Sequence, residues 1–149
     1  MKIFGKKEDE VDYLFRRGVY GLIFNEGKDK IAIIQTGDGK YFLPGGGLEN
    51  EETHEQCLRR EGIEEMGMKL KIGKYIGSAQ RYFYSPNDLK YYLSEGYFYI
   101  CNIEGKAGEP TEAGHFLRWI EIEKAMEYLF HDHQSWALGK ALEKNFSEK

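Results

Sequence analysis

The chain has 149 residues, 41% of them hydrophobic and 31% charged, with a net charge of -4 at pH 7. That length supports one hydrophobic core rather than two, and the composition excludes both a disordered chain and a membrane bundle. A pI near 5.6 also argues against a nucleic-acid surface held by bulk positive charge, and an anionic small ligand then needs a local cation to reverse the sign.

No apolar run approaches the length of a membrane span, and the start "MKIFGKKEDE" lacks the long apolar segment of a secretory signal. The expectation is one domain over residues 1–149, cytoplasmic, with no membrane partner. Cys57 and Cys101 lie far apart without metal-type spacing and read as reduced thiols.

In chain order, "RRGVYGLIF" (16–24) and "KIAIIQT" (30–36) are β-branched and aromatic-rich and read as strands joined by the turn "NEGKD". "GDG" (37–39) is a tight turn, "KYFL" (40–43) a short strand, and "PGGG" (44–47) a loop, because proline cannot donate to a ladder and glycine accepts positive φ. Thr53 with Gln56 fits a capping box, which starts a helix, and Gly67 stops it. From Met68 to Glu104 aromatic and apolar residues predict a long antiparallel pair, broken at "SPND" (85–88). "HFLRWI" (115–120) reads as the last strand, and "EIEKAMEYLF" (121–130) and "QSWALGKALEKNF" (134–146) as helices. Strands, helix, strands and helices in that order predict an α+β sandwich.

Within the first helix, a turn of about 100° per residue places Glu64, Cys57, Glu61, His54 and Glu65 on one side and Leu58, Gly62, Met66 and Ile63 on the other. Most acidic runs on helices are solvated faces. Acids at i, i+3 and i+4 repel, however, at about 0.2–0.5 kcal/mol per pair, unless a cation lies between them. Oxygen ligands alone suit Mg²⁺, with Mn²⁺ as the alternative.

The run from Gly46 to Met68, "GGLENEETHEQCLRREGIEEMGM", resembles the Nudix box, G-x5-E-x7-R-E-U-x-E-E-x-G-U with U a bulky aliphatic residue. Gly46, Glu52, Arg60, Glu61, Glu64, Glu65, Gly67 and Met68 match; Gly62, at the first U position, departs. The resemblance implies a Nudix-type α/β/α sandwich with a mixed sheet, a loop-helix-loop motif, and hydrolysis of a nucleoside diphosphate linked to another moiety. It implies that Glu61, Glu64 and Glu65 hold Mg²⁺ with the Gly46 carbonyl, and that Glu52 and Arg60 form an ion pair fixing the helix to its loop. Glu61 is the candidate general base, and Glu112, before the last strand, is a candidate further acid at the metal. Glu61, Glu64, Glu65, Glu52 and Arg60 are thus the expected catalytic set.

Cys57, amid acids that raise a thiol's pKa, reads as a small packing residue. His115, His131 and His133 have no zinc-like partners and read as surface or packing residues. In "AQRYFYSPNDLKYY" (79–92) most rings belong to strand packing, with Arg81 and Tyr84 as candidate substrate contacts, Tyr84 lying 16 residues beyond Met68, near a tyrosine of some dinucleoside-polyphosphate hydrolases of the family. The expected partner is a small nucleotide-type substrate. Two rival readings keep the same fold or helix: a non-catalytic nucleotide-sensing module, hinted at by Gly62, and a merely structural capped helix. Gly62, on the packing face, costs about 1 kcal/mol against alanine and predicts a bulky core side chain, an aromatic among the candidates, in the space it leaves.

Overall fold

A computed structural model describes residues 1–144. The chain runs β1 (Lys2–Phe4), β2 (Leu14–Leu22), β3 (Lys30–Thr36), β4 (Tyr41–Phe42), β5 (Gly45–Gly47), α1 (His54–Glu61), a π-helical turn (Gly62–Met66), β6 (Met68–Ser85), β7 (Lys90–Lys106), β8 (His115–Glu121), α2 (Ile122–Tyr128) and α3 (Asp132–Glu143). Residues 145 and 146, expected to end the last helix, lie outside the described residues. No helix among the described residues is long and apolar enough to cross a membrane.

Two sheets form, one of five strands in the order β1-β6-β7-β2-β5 and one of three in the order β4-β3-β8. β1 with β6 and β2 with β7 are parallel and the other pairs antiparallel, so the larger sheet is mixed. Strand β3 shows why helices must cover two sides. Its Ile31 and Ile33 enter a core with Leu22, Phe98 and the α3 residues Ala137, Leu138 and Ala141. The alternate residues Ala32 and Ile34 enter a second core with Cys57 and Leu58 of α1, Met66 and Leu70. A strand apolar on both faces needs cover on both, and α1 and α3 supply it, which makes the α/β/α sandwich.

Three local expectations change. The glycines of "PGGG" form β5 rather than a loop, pairing Gly18 with Gly47, Val19 with Gly46 and Tyr20 with Gly45. A Cβ on Gly45 would sit 2.1 Å from the Val19 carbonyl oxygen, so the absence of side chains permits the pairing instead of preventing it. An unexpected short strand, β1, pairs along β6. The first helix is not uniform: after eight α-helical residues it widens into the π turn, and Ile63, expected on the packing face, is 43% exposed. A π turn rotates each residue less than an α turn does, so a wheel drawn at constant angle misplaces the residues after Glu61.

The helix ends as its sequence predicts. The Gln56 amide donates to Thr53 Oγ1 at 3.1 Å and the Thr53 amide to Gln56 Oε1 at 2.9 Å, completing the capping box. Gly67 closes the other end with φ of 66°, a left-handed conformation that glycine takes at least cost. At Gly62 the space is filled by an aliphatic residue and not an aromatic one: a Cβ there would lie 2.7 Å from Leu70 Cγ.

Candidate active site

Box residues reach their positions through close backbone approach. A Cβ on Gly46 would fall 2.3 Å from Glu61 Oε2, so glycine at this point of β5 makes room for the carboxylate. Next to it, the Gly45 amide donates to Glu65 Oε1 at 2.9 Å. Arg60 braces the opposite side: Nε and Nη2 form a fork on Glu52 at 2.6 and 3.0 Å, and Nη2 also donates to the Gly47 carbonyl at 3.0 Å. Helix, loop and glycine strand are thereby joined through one planar guanidinium, whose rigid fork suits a carboxylate better than an ammonium would. Arg60 Nη1 reaches Glu61 at 3.1 Å and Glu64 at 3.2 Å.

A further acid comes from the segment between β7 and β8. The peptide carbonyl of Glu64 accepts from the amides of Thr111 and Glu112, both at 2.9 Å, and the Gly67 carbonyl accepts from Ala107 at 2.7 Å. Carbonyls left without partners at the helix end thus capture the β7–β8 loop. That capture brings Glu112 to the helix, where one carboxylate oxygen each from Glu61, Glu64 and Glu112 lie within 4.8 Å of one another.

Glu61 and its neighbour Glu65 are held where negative charge is disfavoured. Burial, then the charge of Glu65, pushes Glu61 up to about 7. Burial pushes Glu65 up to about 8 against the Gly45 amide, with Glu112 and Glu64 adding to the rise. Tyr20, on β2 behind them, is raised by burial and then by the charges of Glu65, Cys57 and Glu61. Glu52 moves the other way, down to about 2, because Arg60 is bonded to it. A cluster of partly buried oxygens that resists its own charge, with Arg60 and the ring of His115 as its basic contacts among the described residues, fits a hard divalent ion.

Beside Gly47 and Tyr20 opens a cleft of about 230 Å³ lined by Arg16, Arg17, Phe83, Tyr92, Ser94 and His131 among others. It shares Phe83, Ser85 and His131 with a second cleft of about 310 Å³, walled further by Phe42, Phe130 and Lys40. Together they make one groove whose lining mixes aromatic rings with the cations Arg16, Arg17 and Lys40 and the acids Asp38, Asp88 and Glu95. A larger cavity of about 680 Å³ lies by Asn25, Cys101 and Trp119 and is lined by none of the box residues.

Residues 14–139 match the family model described as NUDIX domain. The chain belongs to the Nudix family. Among curated Nudix relatives, diphosphoinositol polyphosphate phosphohydrolase 3-beta of Bos taurus is 25% identical over 118 residues, covering 77% of this chain and 70% of that protein. A NUDIX hydrolase from Nitrosomonas europaea superposes with a TM-score of 0.69 at 16% identity, over 87% of this chain and 89% of that one. An ADP-ribose pyrophosphatase from Streptococcus suis 89-1591 superposes with a TM-score of 0.65 at 19% identity, over 90% and 94% of the two chains. The structural likenesses establish the Nudix fold, and family membership with the retained box acids makes the protein a Nudix pyrophosphohydrolase that hydrolyses pyrophosphate linkages.

Set against the Nudix pattern, the structure brings Glu61, Glu64 and Glu112 together, pairs Glu52 with Arg60, and places Gly46 against Glu61. Glu65 is adjacent but tied to Gly45 and to His115 Nδ1, the latter at 3.0 Å. Two expected substrate contacts lie elsewhere. Arg81 donates from Nη1 to the Phe130 carbonyl and to His131 Nδ1, each at 2.9 Å, beneath the groove rather than among its lining residues. Tyr84 packs on Tyr91 with ring centroids 4.7 Å apart and lines neither cleft. A strand's alternation turns one side chain under the helices and its third neighbour outward, which residue type alone does not reveal. His131, read as a packing residue, does line the groove, and His115 joins the box.

Proposed function

We propose that this Nudix enzyme hydrolyses, with Mg²⁺ or alternatively Mn²⁺, the pyrophosphate linkage of a nucleoside diphosphate joined to another moiety. A nucleoside triphosphate, a nucleotide sugar and a dinucleoside polyphosphate are the candidate substrates. The convergence of Glu61, Glu64 and Glu112 within 4.8 Å carries this reading. These three would hold the ion, with the Gly46 carbonyl and Glu65 beside them. When bound, a divalent cation neutralises phosphate oxygens and lowers the pKa of a water. In the reaction a water oxygen bonds to phosphorus, the bridging phosphate bond breaks, and Glu61 accepts the water's proton. Arg60 and Glu52 hold the helix against the glycine strand while this happens. The groove past Gly47 would take the remainder of the substrate, rings against Phe83 and Tyr92. Two buried, unpaired thiols, Cys57 and Cys101, suit a reducing cytoplasm.

Relatives named for diphosphoinositol polyphosphates, together with Arg16 and Arg17 at the cleft mouth, favour a second substrate class, a polyphosphate without a base. The test is a panel of nucleoside triphosphates, nucleotide sugars, dinucleoside polyphosphates and a diphosphoinositol polyphosphate, each incubated with Mg²⁺ and with Mn²⁺ and resolved by product. Hydrolysis of a nucleotide is expected. Hydrolysis of the inositol compound alone replaces the substrate class. No hydrolysis at all, with metal binding unchanged in Glu61→Gln and Glu64→Gln, overturns the reading.

A further inference from the structure

His115 opens β8, opposite Thr36 of β3, three residues after Glu112 in the chain. Its ring does not face solvent alone: Nδ1 lies 3.0 Å from Glu65 Oε2, and the Glu65 side chain is only 6% exposed. The other oxygen of that carboxylate takes the Gly45 amide at 2.9 Å. Glu65 is therefore held at both oxygens, by β5 on one side and β8 on the other. Its neighbour Glu64 has its peptide carbonyl bonded to the same β7–β8 loop. A carboxylate with a directional donor on each oxygen has its plane fixed, while one held at a single oxygen is free to swing about the remaining torsions.

We propose that His115 is a positioning residue of the hydrolytic site: its Nδ1–H fixes the Glu65 carboxylate beside Glu61, Glu64 and Glu112 so that the acids present one arrangement to a cation. This role rests on the proposed metal-dependent hydrolysis, and the donor position is what matters. Outer-shell donors of this kind typically change metal affinity or turnover by about 10- to 100-fold.

The two amide side chains separate donor position from mere polarity. Asparagine at 115 places an N–H near the position of Nδ1, glutamine places one near Nε2, and alanine places none. Mn²⁺ affinity of the substrate-free protein, followed by electron paramagnetic resonance, and kcat and KM with Mg²⁺ are measured for all three variants. Expected for His115→Ala and His115→Gln is Mn²⁺ affinity about tenfold weaker and kcat about 10- to 100-fold lower with KM within twofold. His115→Asn is expected to keep both within about threefold of the parent. An alanine variant that binds Mn²⁺ and turns over like the parent overturns the role, as does an asparagine variant as impaired as alanine. Parent protein that binds no Mn²⁺ overturns the metal-dependent reading itself, and with it this role.

Discussion

The two ends of the glutamate array are built differently. Glu61 and Glu64 turn toward Glu112 and share a single guanidinium nitrogen, Arg60 Nη1, between them. Glu65 has a contact on each oxygen, from the Gly45 amide on one and from His115 Nδ1 on the other. The first end gathers oxygens of three acids, two of them sharing one guanidinium nitrogen, and the second fastens one acid at both oxygens, although burial still pushes that acid up to about 8. On the proposed metal-dependent reading, an external cation would sit at the first end, and the second end supplies rigidity.

The largest effect should come from breaking the converging end. Glu64→Gln or Glu61→Gln, each close to isosteric, should lower kcat by about 100- to 1000-fold, the loss of several kcal/mol of transition-state stabilisation, and removing divalent ions with a chelator should abolish turnover reversibly. Steady-state kinetics check both, and a loss under tenfold would place the chemistry elsewhere. Next comes the brace between the ends. Arg60→Ala strands Glu52, whose side chain is only 15% exposed, and should cost about 2 kcal/mol of stability by chemical denaturation. Arg60→Lys should recover less than half of that, since it cannot form the fork.

A smaller change tests the packing beneath. Gly62→Ala gains about 1 kcal/mol of helix propensity but places a Cβ 2.7 Å from Leu70 Cγ, and overpacking typically costs about 1–3 kcal/mol. The balance predicts a Tm lower by a few degrees, and in a Leu70→Ala background, itself destabilising because Leu70 is buried, the added cost of Gly62→Ala should disappear. A higher Tm in the single variant would show that Leu70 simply moves aside.

The gentlest probe is pH. Glu61 and Glu65 are raised to about 7 and about 8 in the folded chain, so the folded state retains protons that the unfolded state releases, and stability falls as pH rises through that range. His131 and His133 are depressed to about 2 and about 4, by burial first, so they oppose this trend only below their ordinary value of about 6.5. Chelator-treated protein should therefore lose Tm as pH rises from about 6.5, with the slope levelling off above about 8, and added Mn²⁺ should flatten the slope by taking the place of those protons. A flat profile without metal would mean that the acids are better compensated than their contacts indicate.

Much of this was legible in the residues. Capping by Thr53 and Gln56, the stop at Gly67, the long hairpin around "SPND" and the box positions all follow from chemistry acting within a few residues. What sequence order did not reveal depends on distant segments meeting. Gly45–Gly47 becomes a strand because β2 pairs with it, so closely at Gly45 that a Cβ would clash. The helix shifts to a π turn where its carbonyls meet the β7–β8 loop. Glu112 was located by its place before the last strand, whereas His115, three residues later, was passed over because a histidine without cysteines nearby carries no pattern of its own. Arg81 shows the converse: its type suits phosphate, but its guanidinium is bonded to the Phe130 carbonyl and His131 ahead of α3.

The loop's grip on Glu64 and Gly67 bears on how portable the box is. A segment of 23 residues with eight matching positions looks like a cassette that any scaffold might accept. Here it is closer to one half of a lock. Grafted alone, it would carry Glu61 and Glu64 but leave behind Glu112, the amides of Thr111 and Glu112 that seal its last turn, and the histidine that steadies Glu65. A working transplant would have to move residues 107–115 along with it, and the spacing between the two pieces would have to be kept by the long hairpin that separates them in sequence.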